Sequence, residues 1–391
     1  MKIALVRKEY NELHGGAERY AVNLARGLAD IGHDVHFFCG MWPKKESANI
    51  RFHRVPYIKS PSPLKNLTFQ RNVRRLIAKD EFDIVNGLAQ IFPQDVYRVG
   101  DPLHIHWIRI HTPNPGRRIL KYLSPRHRVI LSIERQIFRA GNYRRIITNS
   151  LLSKNQLVYY YGVPQEKVRI VYNGVNLQQF NSGLRQKLRQ SVRNKIGLTA
   201  SEPVLLFVGH DFKRKGLQFA IQAVIGLKDQ GHRIKLLIAG RGNRAPFLKI
   251  IKLNGLLDDI LFLGQTSNIE ELYCASDILI HPALYDPFSN VCLEAMACGL
   301  PVMTTRLNGA SEIIEDGCTG LIVDAPEEGE KMIAGISGLL ENGGAGIRLM
   351  GESAARAVQE CSVEKNIKET LAVYKEILHE KGGSGSVKRA E

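Results

Sequence analysis

The stretch ILFLGQTSNIEELYCASDILIHPALYDPFSNVCLEAMACGLPVMTT (residues 260–305) alternates short apolar runs with amphipathic segments. It predicts three strands, ILFLG, ILIHP and PVMTT, separated by the helices NIEELYCAS and LEAMACG. Strands that alternate with helices are typical of a parallel sheet, because each parallel connection needs a crossover. The alternation reaches back to VLLFVG (204–209) and IKLLIAG (234–240), so we predict a doubly wound α/β domain over residues 200–361.

The amino-terminal half shows the same alternation. KIALV (2–6) is followed by two glycines, by the helical stretch AERYAVNLARGLADIG and by HDVHFF, which together predict a strand–turn–helix–strand unit. Further strands are predicted at FDIVNG (82–87) and RIITNS (145–150). We therefore expect a Rossmann-like domain over residues 1–180. Two such domains would form a ligand cleft between two sets of strand carboxyl ends.

The segments outside these two domains carry weaker signals. The polar stretch after residue 180 is interpreted as a connection to the second domain. Residues 362–381 are amphipathic at helical spacing and predict a terminal helix that packs back toward the amino-terminal domain. Residues 382–391 begin with glycine and serine, which is typical of a linker, and we expect a disordered tail there.

The bulk composition excludes several classes of protein. Apolar residues make up 44% and charged residues 24% of the 391 residues, as in folded soluble proteins. No run is long and apolar enough for a spanning helix, and charges interrupt the first ten positions, so we expect a cytoplasmic protein. The six cysteines have neither the pattern of a disulfide framework nor the spacing of a zinc site.

The positive charge of the chain is confined to its first half. The formal net charge is +16; residues 1–199 hold 34 Lys and Arg against 13 acids, whereas residues 200–391 hold 20 against 25. Such asymmetry favours a polyanionic partner such as nucleic acid, anionic lipid or a phosphorylated substrate. A solvated basic surface without a partner is the alternative. No motif for reading RNA or DNA is present, so we expect no nucleic-acid partner.

Two carboxylates stand out in ALYDPFSNVCLEAMACGLPV. Asp286 falls in a loop, and Glu294 follows eight positions later near the start of a predicted helix. Carboxylates accept hydrogen bonds from sugar hydroxyls, and the first N–H groups of a helix can hold phosphate, so the pair suits a sugar nucleotide. The alternative is an acidic helix cap with a solvated glutamate.

This segment resembles the E-x7-E region of retaining glycosyltransferases of family 4, and the wording EAMACGLPV is close to identical from Glu294 onward. The resemblance implies a GT-B fold, with two Rossmann-like domains, and transfer with retention. It also implies that Asp286 meets the donor sugar, that the amides of Phe288, Ser289, Asn290 and Val291 face the distal phosphate and the sugar, and that Glu294 binds the ribose. Asp286 departs from the usual Glu and is one methylene shorter.

The turn FVGHDFKRKGL (207–217) adds positive charge after a predicted strand. Arg214 and Lys215 there would neutralise the leaving diphosphate, which a divalent metal does in other transferases. The chain contains no D-x-D triplet, which agrees with a metal-independent mechanism, and we expect neither metal nor cofactor. Family 4 members usually carry Arg or Lys near His210, so Arg214 would be the chief guanidinium. An ordinary solvated turn is the alternative.

Other glycine turns give weaker signals. In HGGAER (14–19), Gly15 and Gly16 allow close approach to an anion, although glycines in such a turn are often only geometric. By the same resemblance, this turn faces the donor phosphates or the acceptor. Gly240-Arg241-Gly242 would border the nucleotide site, and Gln265 and Thr266 would lie beside the base.

The segment VGDPLHIHWIRIH (99–111) contributes Asp101 and three histidines, His104, His106 and His111. An Asp or His here could take the proton of the acceptor hydroxyl. The chain resembles the lipopolysaccharide core glucosyltransferase I group, which carries an Asp in a comparable place, so Asp101 is the implied catalytic residue. Metal binding by H-x-H is the alternative, but no third ligand is evident.

Residues 102–133 hold six Lys or Arg and four His but no acid, interleaved with large apolar residues. This composition is typical of an element that docks on an anionic membrane surface. A basic wall that binds a phosphorylated acceptor is the alternative. Together with the resemblance, these features predict a peripheral enzyme that moves a hexose from a nucleotide sugar, a UDP-sugar, onto a lipopolysaccharide core or related surface glycan at the inner membrane face. The acceptor is expected to be lipid-linked or phosphorylated. The rivals are a GT-B sugar-nucleotide epimerase and a non-catalytic lipid- or nucleic-acid-binding protein.

Overall fold

The computed structural model describes residues 1–12, 15–43 and 49–387. The chain divides into two compact units. The first contains Met1–Asn173 together with the chain from Val363, and the second contains Gly174–Ser362. None of the helices within the described residues combines the length and apolar character needed to cross a bilayer.

The first unit is built on a seven-stranded parallel sheet. Its strand order is β3-β2-β1-β4-β5-β6-β7, so the direction of winding reverses between β1 and β4. Buried apolar runs form the central strands because both sheet faces are covered by helices. The strands are β1 (Lys2–Val6), β2 (Asp34–Cys39), β3 (Ile50–Arg54), β4 (Ile84–Gly87), β5 (Val96–Val99), β6 (Arg145–Thr148) and β7 (Val168–Ile170).

Among its described residues, this unit has seven helices and a short 3-10 turn at Gln165–Lys167. The helices are α1 (Gly16–Asp30), α2 (Ser62–Ile77), α3 (His104–His111), α4 (Pro115–Leu123), α5 (Pro125–Ile137), α6 (Leu151–Tyr161) and the terminal α13 (Val363–Val387). Gly27 lets α13 lie close to α1, because a Cβ at this glycine would meet the side chain of Ile367 at 2.1 Å.

The second unit has a six-stranded parallel sheet with the order β10-β9-β8-β11-β12-β13. Its strands are β8 (Val204–Val208), β9 (Lys235–Ala239), β10 (Ile260–Gly264), β11 (Ile278–His281), β12 (Val302–Thr305) and β13 (Gly320–Val323). Its helices are α7 (Ser182–Lys195), α8 (Leu217–Asp229), α9 (Ala245–Leu253), α10 (Ile269–Ala275), α11 (Asn290–Ala297) and α12 (Gly329–Ala357), with 3-10 turns at Gly309–Ile313 and Val358–Cys361. The α/β fold is as predicted.

The boundary between the units differs from the predicted one. It follows Asn173 rather than residue 180, because the N–H of Val175 donates to the carbonyl of Cys361 and Phe180 is buried against Tyr273. The stretch interpreted as a connection forms α7, which is therefore part of the second unit.

Two further differences concern the end of the chain and two short strands. The predicted tail starts at residue 382, whereas α13 continues to Val387, and residues 388–391 lie outside the described residues. The sequence interpretation also lacked β3 and β13. Each spans only four or five residues, which is too short for a clear alternation of polar and apolar positions.

A buried arginine fixes α7 to the sheet. Arg193 is 0% exposed, and its guanidinium donates to the carbonyl of Ala275 at 2.8 Å and pairs with Asp277 at 3.4 Å. Arg185 and Arg189 also pair with Asp277, at 3.3 and 2.6 Å. The carboxylate of Asp277 additionally accepts from the N–H of Val204, so one acid connects α7 with the starts of β8 and β11.

Candidate active site

The candidate site of the second unit lies where its sheet changes winding direction. Strands β8 and β11 are neighbours there, and ligands of open α/β sheets bind beyond the carboxyl ends of such a strand pair. The turn after β8 closely approaches the loop after β11. Gly216 has φ 82°, and a Cβ at this position would lie 1.8 Å from the carbonyl oxygen of Pro282. Only glycine fits this approach.

Asp286 is the centre of the group at this switch point. Its backbone is held by the 3-10 turn region, since its N–H donates to Leu307 at 3.0 Å and its carbonyl accepts from Gly309 at 2.9 Å. The residue is 5% exposed, and its carboxylate is ion-paired with the ammonium of Lys215. Arg214 lies 4.0 Å from the same oxygen and donates to the carbonyl of Tyr285 at 2.9 Å. The predicted residues Asp286, Arg214 and Lys215 are therefore in one place.

This group keeps Asp286 ionised. Burial alone would raise the pKa of Asp286, but the charge of Lys215, a hydrogen bond from His281 and the charge of Arg214 outweigh it, so the pKa lies well below its ordinary value. Burial lowers the pKa of Lys215, and the charge of Asp286 opposes that shift. The buried anion and its two cations form an arrangement in which a sugar hydroxyl and a phosphate oxygen can be bound side by side.

His281 is a site residue that the sequence interpretation missed. It ends β11, is fully buried, and its Nε2 lies 3.0 Å from the hydroxyl of Ser289 and 3.6 Å from the carboxylate of Asp286. Burial, with the nearby charge of Lys215, lowers its pKa to about 4, so the ring is neutral near pH 7. The sequence signal that could have identified His281 is its place in ILIHP, as a polar residue at the end of an otherwise apolar strand.

The loop from Phe288 to the start of α11 uses part of its backbone internally. The N–H of Phe288 donates to the carboxylate of Asp286 at 3.3 Å, and the N–H of Ser289 donates to Asn308 at 3.1 Å. Of the four amides assigned to the donor by resemblance, these two are directed onto side chains, while Asn290 and Val291 open α11. Asn308, which is fully buried, is a second residue missed from the sequence.

Glu294 lies on α11, one turn after the helix begins. It is 5% exposed, and its Oε2 accepts a hydrogen bond from the phenol of Tyr273 at 2.8 Å. The carboxylate is thus buried and oriented rather than solvated, which argues against the interpretation as an ordinary surface glutamate. Tyr273, on α10, is a third residue that sequence reasoning did not identify.

The remaining predicted residues of this unit lie around that group. His210 accepts from the N–H of Arg241 at 3.1 Å, and burial together with the charges of Arg241 and Lys215 lowers its pKa. A neutral His210 cannot replace the Arg or Lys usual in family 4. Gly240 has φ 127°, and a Cβ there would lie 1.9 Å from the carbonyl oxygen of Gly209. Gln265 and Thr266 are exposed after β10, an edge strand two places from β8.

The first unit has a separate cluster after β1. Arg7 donates to Glu18 at 2.7 Å and to the carbonyl of Leu88, and it lies 3.4 Å from the carboxylate of Asp101. The Asp101 side chain is 66% exposed. Glu18 stands in the first turn of α1, which begins at Gly16 with Gly15 as its cap. His14, the first residue of the predicted glycine motif, lies outside the described residues.

The histidines of the H-x-H segment bind different partners. His104 lies 2.9 Å from His127, whereas His106 lies 3.0 Å from the phenol of Tyr160. Within the described part of the chain, no three His, Cys, Asp or Glu residues are grouped so that they could hold a metal ion.

Comparison with known proteins identifies the family of the chain. Residues 14–179 match the family model Glycosyltransferase Family 4, and residues 189–360 match Glycosyl transferases group 1. An uncharacterised glycosyltransferase of Methanocaldococcus jannaschii is 27% identical over 96% of this chain and 98% of its own. The lipopolysaccharide glucosyltransferase WaaG of Escherichia coli is 25% identical over 81% of this chain and 84% of its own.

Solved structures show the same fold. The crystal structure of WaaG matches with a TM-score of 0.81 at 23% identity, covering 94% of this chain and 98% of that one. The structure of Anabaena HepE in complex with UDP-glucose matches with a TM-score of 0.70 at 20% identity, covering 98% and 100%. The chain is therefore a GT-B glycosyltransferase, in which a Glycosyltransferase Family 4 domain precedes a Glycosyl transferases group 1 domain.

Proposed function

We propose that this enzyme transfers a hexose from a UDP-sugar onto a phosphorylated glycan of the lipopolysaccharide core type, with retention, without a metal ion, and at the inner face of the membrane. The observation that carries the proposal is the buried group of Asp286, Lys215 and Arg214 at the switch point of the second unit. Two relatives support the choice of substrates, since HepE is described with UDP-glucose and WaaG as a lipopolysaccharide glucosyltransferase.

The donor is held by charge and by hydroxyl recognition. Arg214 and Lys215 would neutralise the negative charge that builds up on the leaving diphosphate, which is the role of a divalent cation in other transferases. Asp286 would accept hydrogen bonds from the sugar, and Glu294 from the ribose, because an oriented carboxylate can bind two neighbouring hydroxyls. Since Lys215 contacts Asp286, sugar recognition and phosphate recognition are coupled in this group.

The acceptor would be activated in the first unit. Asp101 is exposed beyond the end of β5 and lies beside Arg7. A carboxylate in this environment can take the proton of an acceptor hydroxyl as it attacks the anomeric carbon.

The membrane part of the proposal is supported by α4. Its apolar side chains Ile119, Leu120 and Leu123 are 60%, 69% and 63% exposed, and Arg117 and Lys121 share this short helix. Exposed apolar groups beside cations bind an anionic lipid surface, because the apolar groups leave water while the cations meet the headgroups.

Donor binding in the presence of EDTA tests the proposed donor and the metal independence. UDP-, GDP- and ADP-glucose are titrated calorimetrically into the wild type, into Glu294→Ala and into the exposed control Glu352→Ala. We expect UDP-glucose to bind, and the Glu294 variant alone to lose roughly tenfold or more in affinity. Binding that needs Mg²⁺ or Mn²⁺ would disprove metal independence, and an unchanged Glu294 variant would disprove its assignment. Transfer to a lipopolysaccharide core acceptor, with the product anomer assigned by NMR, tests retention.

Cosedimentation of the protein with lipid vesicles tests the proposed membrane binding. The vesicles are phosphatidylcholine with about one third phosphatidylglycerol, which supplies the anionic surface. The variant Leu120→Ser/Leu123→Ser is expected to lose binding, while Leu248→Ser/Leu253→Ser, which changes two exposed leucines on α9, should bind like the wild type. Equal binding by all three proteins would contradict docking through α4.

A further inference from the structure

The helices α3, α4 and α5 line a cavity of about 860 Å³ that is open to solvent, within the first unit. Three of its lining side chains are arginines, one from α3 and two from α5: Arg109, Arg128 and Arg135. This cavity has no part in the donor group, which belongs to the second unit.

The two arginines of α5 lie on one stripe of that helix. Arg128, Ser132 and Arg135 are four and three positions apart, which places them on the same face, and all three are exposed. Arg109 adds a third guanidinium, which lies 5.0 Å from the ring of Tyr160 and donates to its phenol at 3.4 Å. Three arginine side chains therefore line one cavity.

These charges are not balanced locally. Across the described residues, no carboxylate pairs with the guanidinium of Arg109, Arg128 or Arg135. The neighbouring acid, Glu134, points inward, where it is buried and accepts hydrogen bonds from the N–H of His104 at 2.7 Å and from the phenol of Tyr161. A concave surface with three cations and no paired acid favours the binding of an anion, because the anion offsets the repulsion between the like charges.

The rest of the lining selects the kind of anion. Tyr122 and Ser132 supply hydroxyl groups, while Ile105, Val129 and Leu131 form apolar walls. Guanidinium groups match a phosphoryl group in charge and in bidentate geometry, and apolar walls suit the carbon skeleton that bears it. A volume of about 860 Å³ is more than a bare phosphate ion needs and suits a phosphorylated sugar or a lipid headgroup.

We infer that this cavity is a binding site for a phosphoryl group on the acceptor side of the reaction, with Arg128 and Arg135 as its principal ligands and Arg109 and Tyr122 completing it. The inference rests on the proposed function in taking the ligand to be the phosphorylated acceptor or the lipid around it. The helices α3, α4 and α5 would therefore bind a phosphoryl group at a defined site, in addition to attracting anions through their general positive charge.

The test compares two double variants with the same loss of charge. Arg128→Gln/Arg135→Gln removes the two cavity arginines of α5, while Arg71→Gln/Arg75→Gln removes two exposed arginines of α2 that do not line the cavity. Each protein is titrated with glucose 6-phosphate, with neutral glucose, and with phosphatidylcholine vesicles containing phosphatidylglycerol. UDP-glucose affinity is measured in parallel.

We expect glucose 6-phosphate to bind the wild type, and the cavity variant to lose roughly tenfold or more in affinity while the control changes less than about twofold. Selective loss of glucose 6-phosphate identifies an acceptor phosphate as the source, whereas selective loss of vesicle binding identifies a lipid headgroup. Equal losses in both variants, or no binding of either probe, would overturn the site. UDP-glucose affinity should be unchanged in both variants. If no protein binds UDP-glucose while glucose 6-phosphate still binds, the proposed donor fails and the phosphoryl site stands.

Discussion

The ammonium of Lys215 and the carboxylate of Asp286 form a buried ion pair between residues that are 71 positions apart in the sequence. One residue lies on the turn after β8 and the other on the loop after β11, which are adjacent strands at the switch point. The pair stabilises an anion inside the fold and brings a cation to the place where a diphosphate would lie. On the proposed function, we expect both the stability of the loop and donor binding to depend on it.

Removal of this cation should affect both properties. In Lys215→Met, the buried Asp286 loses its main partner, so its pKa should rise and the free energy of unfolding should fall by about 3 kcal/mol. The affinity for UDP-glucose should fall roughly tenfold or more. Chemical denaturation and calorimetry measure the two effects. The control is Lys213→Met on the same turn, where the side chain is exposed. Donor affinity that is unchanged in Lys215→Met would rule out this role.

The hydrogen bond from Tyr273 should orient Glu294. In Tyr273→Phe, the ring is kept but the 2.8 Å hydrogen bond to the carboxylate is lost, so UDP-glucose affinity should fall by a factor of roughly 5 to 10. Glu294→Ala should cost more, because it removes the carboxylate itself. The affinity of the double variant shows whether Tyr273 contributes to donor binding only through Glu294 or also independently of it. If Tyr273 acts only through Glu294, the double variant should bind as weakly as Glu294→Ala and no more weakly.

The neutral state of His281 predicts a dependence of stability on pH. Burial lowers its pKa from 6.5 to about 4 in the folded protein, so the unfolded chain binds a proton first as the pH falls. Its contribution is therefore present above pH 6.5 and is lost between 6.5 and 4, by about 3 kcal/mol in total.

Urea unfolding at several pH values measures this slope. In His281→Gln the difference between pH 7 and pH 4.5 should shrink, whereas His379→Gln, which changes an exposed residue of α13, should keep the wild-type slope. A slope that is the same in all three proteins would contradict the assignment.

Asp277 should be one of the most sensitive positions of the second unit. Asp277→Ala leaves Arg193, which is 0% exposed, without its anion and removes the acceptor of the Val204 N–H, so unfolding should cost about 3–5 kcal/mol less. The exposed control Asp258→Ala should change stability by less than about 0.5 kcal/mol. Thermal and chemical denaturation compare the two, and equal stability would mean that the arginine cluster contributes little.

The pattern of the chain was sufficient for the architecture. Apolar runs such as VLLFVG and ILIHP predicted strands that the structure contains, since burial on both faces of a parallel sheet requires them to be apolar. The motif residues Asp286, Arg214 and Lys215 were also identified from the sequence, and the structure brings them together. Short elements such as β13 were missed, and α7 was interpreted as a connection because its many polar residues hide the face that packs on α10.

The sequence by itself determined the two α/β units and the confinement of net positive charge to the first half, because these follow from local periodicity and residue type. The two carboxylates of the site were assigned through the resemblance of their segment to family 4. Only the tertiary structure decided which groups meet. The contacts of Lys215 with Asp286, Tyr273 with Glu294 and Arg193 with Asp277 all join segments that the sheet order brings together. The arginine cavity of α3, α4 and α5 has the same origin, because helix packing, and not spacing along the chain, brings Arg109 to the same cavity as Arg128 and Arg135.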